Sequence, residues 1–183
     1  MKYYDVLYGD WELPGVVEDL VKTKEMNRLR HITQAVAPNN LMSYGFIPSR
    51  FHHGMGACYL MSLVIKNNKN YFGHVTPLLL SAALLHDAGT PPFSHFGEHF
   101  LKEVIGKNGE EFLQDMLEKT ETERVLYEHG VALKDVVVLV TGKMQPVSDV
   151  LHGSLDVDNI DNIARAHYAM IGGKAPYNPT DIA

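Results

Sequence analysis

Cysteine is nearly missing from this chain. Cys58 stands alone among 183 residues, so no intramolecular disulfide can form, and a lone thiol fits a reducing compartment and the role of a small buried hydrophobe. Long apolar runs are missing too. The longest, over residues 78–85, falls far short of the roughly 20 apolar residues that a membrane-spanning helix needs, and no basic-then-apolar leader follows Met1. A soluble, cytoplasmic protein without a membrane partner is expected. Positive charge is also short: 16 Lys and Arg stand against 22 Asp and Glu, for a net charge of -6. Nonspecific nucleic-acid binding neutralises many phosphates, so strong binding of that kind is not expected, whereas one nucleotide held by a few local cations is compatible. The length suits a single domain, residues 1–183, large enough to bury a core without disulfides.

Sustained strand-like alternation is absent as well, and the apolar periodicity is helical almost throughout, so an all-α fold is expected. Pro14 suits the first turn of a short helix carrying Val16, Val17 and Leu20, and a second helix is expected over residues 24–34 with Met26, Leu29 and Ile32 inward. The stretch "AVAPNNLMSYGFIPS" reads as an irregular loop before a helix opening near Arg50. Thr76 and Pro77 start the next helix. Ser94 suits the cap of another that Gly106 closes. Helices are expected over residues 110–119 and from Thr120, with Glu123 as its capping-box partner, to just before Gly130. The run "VVVLV" reads as helix for want of a pairing strand. The last helix runs from an N-cap at Ser154 to a stop at Gly172. It carries Val157, Ile160, Ile163, Ala164 and Ile171 on one broad side and Asp158, Asp161, Asn162 and Arg165 opposite. Locally that polar stripe reads as a solvated face with an Asp161–Arg165 pair one turn apart.

What the chain does have is histidine, 10 in all, and one placement calls for a partner. In "LLLSAALLHDAGTPPFSH" a run that is apolar all round, as in a helix surrounded by protein, ends on His86 and Asp87. Charged groups driven there need another charge, a hydrogen-bond network or a metal ion. The dipeptide alone is weak evidence, since chance supplies about 0.6 of them in a chain of this composition. Asp87 accepting a hydrogen bond from a neighbouring ring would already explain the pair as a lock between helix ends. His53, however, begins an inward stripe with Ala57, Leu60 and Val64, and Asp158 lies on the last long helix. Together these supply two imidazoles and two carboxylates from three helices, a donor count suited to a divalent cation with positions open to water. Such a set accepts manganese, iron, nickel, cobalt, zinc or magnesium. Spacing leaves open whether the four meet.

The ordered segments "RFHHGMGACYL", "AALLHDAGTPPFSH" and "LDVDNID" resemble the HD-domain superfamily of metal-dependent phosphohydrolases, and within it the deoxynucleoside triphosphate triphosphohydrolases. The opening "YGDWELPGVVEDLVKTKEMNRLRHITQ" is similar to that branch's entry, so the likeness covers nearly the whole chain. The resemblance implies an HD-domain helical bundle with a buried metal site and hydrolysis of a nucleotide or another small phosphoester. It implies His53, His86, Asp87 and Asp158 as metal ligands, Gln34 and Arg50 as substrate contacts, and His95 near the phosphates. Arg165 and Lys174 are further cations suited to phosphate, and Asp161 suits the orienting of a ligand or a water from behind the first ring of donors. Asp87, His95 and Asp161 are therefore the candidate catalytic residues.

Departures from the pattern bear on the substrate. Thr90 stands where the branch has a histidine, no His-Glu pair occurs between residues 106 and 124, Ala166 replaces an aspartate associated with the sugar, and Asn162 replaces a tyrosine. These changes leave the metal ligands intact and open three other readings. One is an HD-type nucleotidase acting on monophosphates. Another is a di-iron oxygenase-like HD protein, which needs further ligands from among His95, His99, His129 and His152. The third is a nucleotide-binding domain without turnover. Tyr3, Tyr4 and Tyr8 read as core in preference to a homo-oligomer surface. The chain ends at "YNPTDIA", soon after the last ligand helix, as a minimal or a truncated member would.

Overall fold

Two short strands, not expected from the sequence, open the computed structural model, which describes residues 1–34, 46–173, 178 and 181. Strands β1 (Lys2–Asp5) and β2 (Gly9–Glu12) pair antiparallel with Tyr3 opposite Trp11 and Asp5 opposite Gly9. Aromatic residues favour such a ribbon, the Asp5 carboxylate accepts from Leu7 N–H at 2.8 Å to shape the turn, and Gly9 takes a φ of 75° that other residues resist. Each strand is too short for a period of two to stand out in the sequence.

The helices follow. Pro14 precedes α1 (Gly15–Leu20) as its N-cap instead of sitting inside its first turn. The Thr23 side chain caps α2 (Lys24–Arg28), which tightens into a 3-10 turn over Leu29–His31. This helix stops short of residue 34 because Thr33 pairs with Ser49 in an isolated bridge, yet Met26, Leu29 and Ile32 are buried as expected. The loop expected from residue 35 lies mostly outside the described residues. A capping box between Ser49 and His52 opens α3 (Arg50–Asn67), and α4 (Lys69–Phe72) leads to α5 (Thr76–Leu85).

Ser94 does not cap α6 (His95–Ile105), because its hydroxyl is used elsewhere, but Gly106 ends that helix in the left-handed region. Asn108 and Glu111 form the capping box of α7 (Gly109–Leu117). The box expected for α8 (Glu121–Glu128) is not made: the Thr120 hydroxyl donates to Leu117 O, and Glu123 accepts from Lys119 N–H. The valine run is helical, α9 (Leu133–Val140), and buries Leu133, Val136, Leu139 and Val140. After α10 (Asp149–His152), the long α11 (Val157–Ile171) is capped by Asp156, two residues beyond Ser154.

Helix α3 forms the centre, packed against α5 on one side and α11 on the other. The first approach is close: a Cβ on Gly54 would stand 2.8 Å from Leu84 O. Leu60, Met61, Leu84 and Leu85 fill the core between them. All-helical packing thus sets the site, with the hairpin folded over one end. Helix α6 turns Phe96, Phe100 and Val104 outward. Among the described residues no helix is long and apolar enough to cross a membrane.

Candidate metal centre

Because α3 and α5 lie so near, His53 in the first turns of α3 meets His86, which follows the last residue of α5. Each ring is anchored by its Nδ1. His86 Nδ1 lies 2.8 Å from Ala83 O, a carbonyl that the helix end leaves free, and His53 Nδ1 lies 2.7 Å from Asp161 Oδ2. With Nδ1 donating in both, each Nε2 carries a lone pair. These two Nε2 atoms face each other at 3.3 Å. Asp158 Oδ1 stands 2.8 Å from His53 Nε2 and 3.7 Å from His86 Nε2, and the three ligand atoms lie within 4.8 Å of one another.

With both rings neutral, three acceptors converge on one point and repel unless a cation sits among them. A divalent ion with bonds near 2.1 Å is surrounded by ligand edges of about 3 to 3.5 Å, so the donor chemistry and the spacing both fit one. Asp87 joins from the side: its Oδ2 is 3.5 Å from His86 Nε2 and 3.9 Å from His53 Nε2. Arg50 Nη1 donates to both of its oxygens, at 3.0 and 2.8 Å, and the Thr90 hydroxyl donates to Oδ1 at 3.1 Å. Arg28 holds the turn that follows, donating to Ala88 O at 2.6 Å and Thr90 O at 2.9 Å.

The charges are strongly coupled. Burial would lower the His53 pKa, but hydrogen bonds to Asp158 and Asp161 and the charges of Asp161 and Asp87 raise it to about 9. Burial would raise the Asp87 pKa, and the charges of His86, Arg50 and His53 instead hold it well below the usual carboxylate range. Asp158 is lowered too, against its burial, chiefly by His86. A proton on His53 competes with a cation for Nε2. Apparent affinity for Mn²⁺ is therefore expected to rise about tenfold per pH unit until the pH reaches about 9, as followed by calorimetric titration.

No family model matches the chain. The protein YwfO of Bacillus subtilis, described as uncharacterized, is 31% identical over 161 residues, covering 84% of this chain and 36% of that one. The SAMHD1 homolog of Dictyostelium discoideum, a deoxynucleoside triphosphate triphosphohydrolase by name, is 26% identical over 184 residues, covering 90% and 35%. A phosphohydrolase of known structure from Bacteroides thetaiotaomicron superposes with a TM-score of 0.76 at 26% identity, covering all of this chain and 45% of its own. A hypothetical protein from Aquifex aeolicus gives 0.78 at 25% identity, covering 93% and 46%. The chain is a distant homologue of these proteins. It carries an HD-type cluster of His53, His86 and Asp158, and it spans about a third of the length of the curated relatives it matches.

A cavity of about 500 Å³ opens beside the cluster, lined by Gln34, Arg50, His53 and Asp158 and by the α11 residues Asn159, Asn162, Ile163, Ala166, His167, Met170 and Ile171. Gln34 is not an exposed helix residue: it is 2% exposed and donates to Asn162 Oδ1 at 2.9 Å. Its Oε1 and the Nδ1 of His167 are buried without a partner among the described residues. Arg50 is held by Ser94 as well as by Asp87, which is why Ser94 is not free to cap α6.

One expectation needs correction: Arg165 does not reach the cavity, being fully buried between Asp161 and Asp5. Asp161, expected to orient a ligand or a water from behind the first donors, meets His53 from that side. The stripe on α11 is thus no solvated face, whereas Ile163 and Ile171, expected inward, are more than half exposed. Tyr3 and Tyr8 pack on the core, but Tyr4 is exposed. His129 pairs with Asp19 at 3.0 Å, and His99 and His152 are exposed. The His95 side chain and Lys174 lie outside the described residues.

Sequence reasoning missed Glu110 and His167. Glu110 sits in the first turn of α7, whose start abuts the turn after Asp87: a Cβ on Gly89 would stand 2.0 Å from Gly109 O. Burial raises its pKa against the charges of His152 and His86. The signal for it was the capping box at Asn108, which fixes where α7 begins.

Proposed function

We propose that the chain is a metal-dependent phosphohydrolase acting on a nucleotide, in the manner of the deoxynucleoside triphosphate triphosphohydrolases. The observation that carries this reading is the pair of facing Nε2 atoms beside the Asp158 carboxylate, an arrangement that asks for a cation next to a cavity of nucleotide size. His53, His86, Asp87 and Asp158 would hold the divalent ion. When bound, such an ion lowers the pKa of a water ligand and withdraws charge from a phosphoryl oxygen. Arg50, steadied by Asp87 and Ser94, presents the guanidinium that positions a phosphate on the cavity wall. The unpartnered Gln34 Oε1 and His167 Nδ1 offer hydrogen-bonding atoms to sugar hydroxyls or a base, and Ile163, Met170 and Ile171 give the ring an apolar wall. His95 is retained as a candidate near the phosphates on the strength of the resemblance alone.

A second reading, hydrolysis of nucleoside monophosphates, draws on Asn162 and Ala166. Both line the cavity, at positions where, by the resemblance, the triphosphohydrolases carry a tyrosine and an aspartate, the aspartate being the one associated with the sugar. One screen separates the readings: phosphate and triphosphate release from nucleoside mono-, di- and triphosphates with Mn²⁺, Co²⁺, Ni²⁺, Mg²⁺ or Zn²⁺. Release of inorganic triphosphate from a deoxynucleotide is expected. Turnover of monophosphates alone moves the assignment to the second reading, and no release with any cation refutes both.

A further inference from the structure

We infer that the N-terminal hairpin is part of the metal centre, with Asp5 and Tyr8 as positioning residues. Through Asp161 and Arg165 they hold His53 with its Nε2 turned to the cation, so that docking of the hairpin and binding of a divalent ion are linked. This inference rests on the reading that the cluster holds such an ion.

The chain of contacts is continuous. Asp161 Oδ1 accepts from the Tyr8 hydroxyl at 2.8 Å and from Arg165 Nη2 at 2.8 Å. Its Oδ2 accepts from Arg165 Nε at 2.9 Å and meets His53 Nδ1 at 2.7 Å. Both oxygens are thereby saturated, and with them the angle of the imidazole is set. Arg165 is fixed in turn by Asp5, whose Oδ2 accepts from Nη2 at 3.1 Å, while the other Asp5 oxygen shapes the hairpin turn through Leu7 N–H. The Tyr8 ring stacks on Tyr59 of α3 with centroids 4.9 Å apart, and Trp11 meets the same ring edge-on.

Helix α3 makes room for this assembly at one residue. A Cβ on Gly56 would stand 1.9 Å from Asp161 Oδ1 and 2.4 Å from Arg165 Nη2. The hollow beside His53 is therefore reserved for the ion pair. Asp5, Asp161 and Arg165 are each at most 5% exposed. Two carboxylates against one guanidinium leave negative charge in excess, and it bears directly on the Nδ1–H of His53, which favours the tautomer that leaves Nε2 free for a cation. A structural ion pair has no need of the contact to His53, and a ligand histidine without it has no fixed plane. Linkage makes the effect reciprocal: what steadies the hairpin strengthens the cation, and the cation steadies the hairpin.

The test uses Mn²⁺ as probe. Calorimetric titration of the metal-stripped protein is expected to give about three- to tenfold weaker binding for Tyr8→Phe and Asp5→Asn than for the unaltered chain. Tyr4→Phe, an exposed position on the same hairpin, is expected to bind as the unaltered chain does. Hydrogen exchange on the unaltered protein supplies the second arm: amides of residues 3–11 are expected to exchange more slowly once Mn²⁺ is bound, more so than amides of α8, which lies away from the cluster. Equal affinity in Tyr8→Phe, or hairpin amides indifferent to Mn²⁺, overturns the inference. An unaltered chain that binds no divalent cation overturns instead the reading on which it rests.

Discussion

His86→Ala is expected to weaken divalent-cation binding by more than about 100-fold and to abolish phosphohydrolysis, with Asp158→Ala giving the same result. The imidazole contributes one of three ligand atoms that lie within 4.8 Å of one another, and removing it leaves a single imidazole with the Asp158 and Asp87 carboxylates, the latter already held by Arg50, too weak a set to retain an ion against water. The fold is expected to survive. His86 sits at the C-terminus of α5, where its loss frees one carbonyl, that of Ala83, at a cost of about 1 kcal/mol. Metal analysis and thermal unfolding on the same sample separate the two effects. His99→Ala, on an exposed face of α6, serves as the control and keeps both metal and activity. Full metal retention in both ligand variants would sink the assignment of the site.

Arg165→Met is expected to be the costliest single change to stability, at about 3–5 kcal/mol, because removing one partner leaves an uncompensated buried charge. Here the charges left behind are Asp161 and Asp5, 0% and 5% exposed. The pH dependence tells this apart from a simple loss of packing. In the unaltered protein burial would raise the Asp161 pKa, but the Arg165 charge and hydrogen bonds from His53 and Arg165 depress it to about 2. A depressed carboxylate contributes stability that is present above its unfolded value, near 4. That contribution is lost as the pH falls through the folded value. Without the guanidinium, burial favours the neutral form of the Asp161 carboxyl. Arg165→Met is therefore expected to gain more stability between pH 7 and pH 4 than the unaltered chain does. Urea unfolding at several pH values reads the difference, and parallel curves for the two proteins would show that Arg165 acts through volume alone.

The same residues show where local pattern stops being informative. Asp161 and Arg165 share a polar stripe on α11 with Asp158 and Asn162, and periodicity assigns such a stripe to solvent. They are buried because the hairpin folds over them, an element made of two four-residue strands too short to announce itself by alternation. Ser94 and Ser154 look like caps to any local rule. Ser94 instead donates to Thr33 O at 2.7 Å and accepts from Arg50, and Asp156 takes the cap of α11. For Ser94 a distant segment competes for the group, and a competitor far along the chain leaves no trace in a window of a few residues.

What the chain determined by itself was the set of long helices and the identity of the donors: apolar all-round α5 ending on His86 and Asp87, the inward start of α3 at His53, and Asp158 on α11. Helical periodicity and buried charge are local properties, and they are written in adjacent residues. Only the tertiary structure decided that His53, His86 and Asp158 converge, that Asp87 is taken up by Arg50, and that Asp161 and Arg165 support the site from behind. Those facts depend on how closely α3, α5 and α11 approach, and that distance is set by the residues on facing helices, above all by the missing side chains of Gly54 and Gly56 on α3, whose neighbours no sequence window contains.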